Sequence, residues 1–89
     1  MTPEDKDQLS EKIVRLCHAA GAFGLPEDRI LRTLSQVAFR LTSEELEREL
    51  KYLQSKGWIE EVAKDLRPDL RRWTSTAAGD EFLMKRGLI

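Results

Sequence analysis

The spacing of apolar residues predicts that the chain begins with a long helix. Thr2 can cap its start, Pro3 suits a first helical position, and Gly21 is placed to end it. The apolar residues between recur at i, i+4, i+7, i+8 and i+11: Leu9, Ile13, Leu16, Cys17 and Ala20. That spacing places them on one face of a helix.

A second helix is predicted from about Pro26 to Gln36. Its apolar stripe has helical spacing and consists of Ile30, Leu34 and Val37, with Leu31 beside it. Residues 38–41 are too few for another element, so a turn is expected there.

The third helix carries the strongest local signal. Thr42 and Glu45 have the spacing of a capping box, and Leu41 and Leu46 that of a hydrophobic staple. The predicted buried stripe is Leu46, Leu50 and Leu53. Gly57 then supplies a stop signal.

A β-hairpin and a short helix are predicted to complete the chain. Residues 58–64 contain β-favouring Trp, Ile and Val, residues 65–70 are rich in turn formers, and residues 71–75 can return as the antiparallel partner. Thr76 can cap a final helix that ends at Gly87, with Phe82 and Leu83 facing inward.

This order of elements resembles the winged helix-turn-helix superfamily. Residues 46–60 resemble the end of a recognition helix and the start of a wing: a leucine stripe, Lys-Gly, two apolar residues and a charge. Trp73, Thr76 and Gly79 match the spacing of the outgoing wing strand, although Ser75 stands where a leucine is usual. The layout is similar to MarR-like and ArsR-like repressor cores of bacterial or phage type, without their metal cysteines or long dimer helices.

The resemblance implies one winged-helix domain over residues 1–89. Its fold class would be α+β and mostly helical, with a three-helix core, a two-stranded β-hairpin wing and a short C-terminal helix. Because this fold serves many functions, the resemblance defines the fold more closely than the activity.

The amino-acid composition excludes several classes of function. Fifteen basic and 16 acidic residues give a net charge of −1, which excludes a polybasic tail that binds through bulk charge. One cysteine and one histidine exclude an intramolecular disulfide and argue against a zinc site. No apolar run approaches the ~20 residues that span a bilayer, and the acidic N-terminus does not resemble a signal peptide. A reducing cytoplasm is the expected compartment.

Neither catalytic nor cofactor-binding residues are predicted. Cys17 and His18 are adjacent on a helix, so their side chains diverge by about 100° and cannot form a nucleophile–base pair. Cys17 is expected in the core. Glu44 and Glu45 fall in a first helical turn, where carboxylates stabilise the helix, and Glu47 can pair with the lysine four residues later.

The preferred functional prediction is binding of double-stranded DNA. Arg48 and Lys51 lie opposite the predicted buried leucines, as residues of a recognition helix do. The expected contacts on this helix and at its entrance are Arg40, Thr42, Ser43, Arg48, Lys51 and Ser55. Those of the wing are Lys64, Arg67, Arg71 and Arg72.

A protein-binding adaptor is the alternative. Residues 42–56 carry four glutamates against three basic residues, a net charge of −1, and DNA-reading domains usually show a clearer basic face. A mixed-sign surface with exposed Phe39, Tyr52 or Trp58 would favour a protein partner. The oligomeric state stays open between monomer and homodimer.

Overall fold

The computed structural model describes residues 2–37, 39–62 and 71–89. Four helices lie within these ranges: α1 (Pro3–Ala20), α2 (Glu27–Gln36), α3 (Ser43–Ser55) and α4 (Ala77–Lys85). The strands are β1 (Leu25–Pro26), β2 (Ile59–Glu61) and β3 (Arg72–Ser75), and a 3-10 turn (Gly21–Phe23) follows α1. The fold is therefore α+β, and the four predicted helices are confirmed.

Threonine caps set the starts of three helices. The hydroxyl of Thr2 accepts from the backbone N–H of Asp5, and that of Thr76 accepts from the N–H of Gly79. At α3, Thr42 and Glu45 form the complete capping box, with both reciprocal hydrogen bonds present. Each cap satisfies backbone donors that have no partner within the helix.

The predicted antiparallel pairing of the two hairpin strands is confirmed, and the segment after α1 adds a third strand that was not predicted. β1 pairs antiparallel with β3, joining Leu25 to Trp73 and Pro26 to Arg72, and β2 pairs with the other side of β3. The strand order is β1-β3-β2, with β3 in the centre. Pro26 therefore precedes α2 as its N-cap and is not its first helical residue.

The core draws on all four helices and on strands β2 and β3. It consists of Leu9, Ile13, Val14, Cys17, Ile30, Leu34, Leu46, Leu50, Leu53, Ile59, Trp73 and Leu83. The indole N–H of Trp73 donates to the carboxylate of Glu27 at 3.1 Å, so the buried ring keeps a polar partner. Val37, expected in the buried stripe of α2, is 43% exposed, because the helix ends at Gln36 and the chain turns away.

A close backbone contact joins α4 to the start of the hairpin. Gly79 is buried in the first turn of α4, and a Cβ at that position would overlap the carbonyl of Trp58. That carbonyl accepts from the N–H of Thr76, the N-cap of α4. The ring of Trp58 stacks on that of Phe82 with centroids 4.0 Å apart. Glycine is thus the residue that fits this helix start.

Candidate nucleic-acid interface

The face of α3 opposite the core carries exposed basic side chains. Leu46, Leu50 and Leu53 are buried, which sets the orientation of the helix. Arg48 and Lys51 are exposed on the other side, as the spacing predicts. Neither forms an ion pair with another residue of the described ranges. The guanidinium group of Arg48 and the ammonium group of Lys51 are therefore available to bind an anion.

Two candidate hydroxyls near α3 already have structural partners. The Thr42 hydroxyl accepts from the N–H of Glu45 at 3.1 Å, and the N–H of Thr42 donates to the Glu45 carboxylate at 2.9 Å. The hydrogen bond from the Thr42 N–H to the carboxylate, and then the interaction of the carboxylate with the Thr42 hydroxyl, lower the pKa of Glu45. The Ser55 hydroxyl donates to the carbonyl of Tyr52 at 2.6 Å. The hydroxyl of Thr42 is thus engaged as a helix cap. Arg40 and Ser43, on either side of Thr42, are exposed.

Arg71 connects the hairpin to α3 by charge. Its guanidinium lies 3.6 Å from the carboxylate of Glu47 on α3 and 3.7 Å from that of Glu61 on β2. Glu47 therefore faces the hairpin, where the sequence predicted a pair with Lys51 along the helix. Two carboxylates around one guanidinium make this edge of the surface mixed in sign.

Arg72, the other wing candidate among the described residues, lies away from this cluster. Along β3, Trp73 points into the core, so Arg72 and Thr74 point to the other face of the sheet. There the hydroxyl of Thr74 donates to the carbonyl of Gly21, and Arg72 packs beside Gly24. Lys64 and Arg67 lie outside the described residues.

A basic and aromatic cluster adjoining α3 was not included among the predicted DNA contacts. The ammonium of Lys6, on α1, lies 4.7 Å from the ring centroid of Tyr52, and that of Lys56 lies 5.6 Å from it. Both distances fit cation–π contact. Lys6 is 46 positions from Tyr52 in the chain, so no local pattern could indicate the pair.

The exposed aromatics expected of a protein-binding surface are present only in part. Tyr52 is 37% exposed. Trp58 and Phe39 are half-buried and pack against the core. A different aromatic, Phe23 in the 3-10 turn, is the most exposed large apolar side chain of the described residues, at 80%.

A histidine, a serine and an aspartate meet at the other end of the molecule. The Ser75 hydroxyl donates to Oδ1 of Asp80 at 2.6 Å, and Nδ1 of His18 lies 2.8 Å from the same oxygen. Nucleophilic catalysis requires the hydroxyl to give its proton to the imidazole. In this arrangement the carboxylate receives both bonds, so the cluster joins elements and does not activate Ser75.

Within the described ranges, no three His, Cys, Asp or Glu side chains come together as a metal site. None of the helices in those ranges combines the length and apolar character needed to cross a bilayer. No protein-family model matches the chain, and no curated protein or solved structure shows significant similarity to it.

Proposed function

We propose that this protein is a small winged-helix protein that binds double-stranded DNA. It would act as a transcriptional regulator or as an accessory to a DNA transaction in a bacterium or prophage. The observation that carries the proposal is the pair of exposed cations, Arg48 and Lys51, on the face of α3 opposite its buried leucines.

The dimensions of α3 suit the major groove. An α-helix with its side chains is about 10–12 Å across, and the major groove of B-DNA is about 12 Å wide. A helix in the groove presents its outward face to base edges, where arginine pairs with guanine and lysine can do the same. Arg48 lies near the centre of that face, and Lys51 lies toward the hairpin. Arg40 and Ser43, at the helix entrance, would contact phosphates.

Arg71 would contribute to DNA binding by exchanging the carboxylate of Glu47 for a DNA phosphate. Glu47 and Glu61 compensate its charge in the free protein. A phosphate arriving beside the hairpin would compete with Glu47 for the guanidinium, which binds phosphate in two-point fashion. Separating Arg71 from Glu47 costs electrostatic free energy, and this cost lowers the affinity of the protein for DNA.

The experiment that tests the proposal is fluorescence anisotropy with a labelled pool of random duplexes, at about 50 mM and 200 mM salt. Arg48→Ala and Lys51→Ala are compared with Lys85→Ala, an exposed lysine on α4 paired with Glu81. We expect both α3 variants to weaken binding, Lys51→Ala to reduce the salt slope by about one because it removes a phosphate contact, and the control to match the parent. Failure of the parent to bind any duplex at low salt would reject the proposal.

The alternative function, a protein-binding adaptor, is favoured by the compensated charge of Arg71. Glu47→Gln separates the two functions. If the surface binds DNA, removing this carboxylate leaves Arg71 with Glu61 alone and raises duplex affinity. If the surface binds a basic partner through Glu47, the same substitution weakens capture of that partner from nuclease-treated host extract and leaves DNA binding unaffected.

A further inference from the structure

The side of α3 away from the hairpin carries a second cationic surface. At about 100° per residue, Lys51 lies about 60° to one side of Arg48, and Tyr52 lies about 40° to the other. Contacts agree with this division. Glu47, on the Lys51 side, reaches Arg71 of the hairpin, whereas Tyr52 reaches Lys6 of α1.

Tyr52 holds two cations near one another. The ammonium groups of Lys6 and Lys56 approach its ring at 4.7 and 5.6 Å. Like charges repel, and the negative face of the ring offsets part of that repulsion. The ring thereby restricts two flexible side chains that would otherwise spread into solvent. Lys6, Tyr52 and Lys56 are called the α1-side cluster below.

Two of the neighbouring carboxylates, those of Glu45 and Glu49, have contacts within the protein. Glu45 is bonded to the backbone of Thr42 in the capping box. One oxygen of the Glu49 carboxylate is covered by surrounding atoms. Lys6 and Lys56, in contrast, are exposed. The two ammonium groups are therefore the more accessible charges of the α1-side cluster, although carboxylates adjoin them.

We infer that the α1-side cluster is a phosphate-contacting surface for the second wall of the groove in which α3 lies. This inference rests on the proposed function. A helix in the major groove is flanked by two sugar–phosphate backbones. The hairpin side supplies Lys51 and Arg71 to one backbone, and the α1-side cluster supplies Lys6 and Lys56 to the other. Tyr52 is the positioning residue, since it holds the two ammonium groups and reads no base.

The test measures the salt dependence of binding to the duplex pool. Each of Lys6→Ala and Lys56→Ala should reduce the slope by about one and the double variant by about two, because each removes one phosphate contact. Lys85→Ala is the matched control. Tyr52→Phe keeps the ring face and should bind as the parent does. Tyr52→Leu should bind roughly two- to five-fold more weakly, as loss of an exposed cation–π contact implies.

The outcomes distinguish this inference from the proposed function. If Lys51→Ala reduces the slope and the double lysine variant does not, the α1-side cluster makes no phosphate contact, and the proposed function stands. If the parent binds no duplex, the proposed function fails, and this inference fails with it.

Discussion

Nδ1 of His18 lies 2.8 Å from the carboxylate of Asp80, and this contact joins residues 62 positions apart. His18 is in the last turn of α1 and Asp80 in the first turn of α4. Asp80 therefore carries the charge that the start of its helix favours. An ionised carboxylate can only accept, so the proton of the bond resides on Nδ1. The contact ties the end of α1 to the start of α4.

We expect Asp80→Asn to destabilise the fold by about 1 kcal/mol at neutral pH, because it weakens bonds to Ser75 and His18 at a partly exposed site. The hydrogen bond from Ser75, and then the interaction with His18, lower the pKa of Asp80. A carboxyl with a lowered folded-state pKa stabilises the fold above its ordinary pKa of about 4. That contribution is lost as the pH falls through the lowered value.

The measurement is urea unfolding of the parent and Asp80→Asn from pH 7 down to about pH 3. The difference in unfolding free energy between them should shrink at the acid end. Glu81→Gln, at the next position but paired only with Lys85 on the surface, is the control. A difference that stays constant with pH would show that the ionised Asp80 does not stabilise the fold.

Three substitutions in α3 and its cap test the orientation of this helix. Thr42→Ala should cost about 1 kcal/mol, because it removes one half of the capping box. Leu50→Ala should cost about 2–5 kcal/mol, since Leu50 is fully buried. Arg48→Ala should change stability by less than about 0.5 kcal/mol. Urea unfolding measures all three, and a silent Leu50→Ala beside an unfolded Arg48→Ala would mean that α3 faces the other way.

Gly79→Ala should destabilise the protein by about 1–3 kcal/mol, although alanine favours helices more than glycine does. The added methyl group would overlap the carbonyl of Trp58 and push α4 from the hairpin. Ala78→Gln, at the preceding exposed position, should stay within about 0.5 kcal/mol. Thermal unfolding compares the two. An increase in stability for Gly79→Ala would show that the two backbones are not in close contact.

The thiol of Cys17 should be inert in the folded protein. Burial raises the pKa of Cys17 to about 12, so the reactive thiolate is negligible at neutral pH. Reaction with a chromogenic disulfide reagent at pH 8 should be slow in buffer and fast in concentrated urea. Leu50→Ala, which loosens the same core, should accelerate the reaction in buffer. Rapid labelling of the native parent would contradict the buried position.

Helix caps and apolar stripes, which lie within short segments of sequence, predicted the helices well. They did not predict the contacts between residues that are distant in the sequence. The capping box of α3 is encoded within four residues, from Thr42 to Glu45, and was predicted completely. Strand β1 has two residues, one of them a proline that lacks an N–H, so only its partner in β3 defines it. The bond between His18 and Asp80 also depends on folding, because neither residue indicates the other in the sequence.

In the candidate interface, too, the features encoded in nearby residues were predicted and the contacts between distant residues were not. Arg48 and Lys51 lie where helical periodicity placed them, because the leucine stripe fixes the face that is buried. The environment of Arg71 could not be predicted, since Glu47 and Glu61 come from two other elements. Tyr52 could be identified as a solitary aromatic on a polar face. Its pairing with Lys6 requires the packing of α1 against α3.

The central position of β3 has a consequence for the order in which the protein can assemble during synthesis. β1 and β2 do not pair with each other; both pair with β3, which is translated after them. A nascent chain that has not yet reached residues 72–75 therefore has two strands without a partner and lacks the core indole of Trp73. α1, α2 and α3 can form early from their local caps and stripes. The sheet closes only after residues 72–75 have left the ribosome, so it forms after the first three helices.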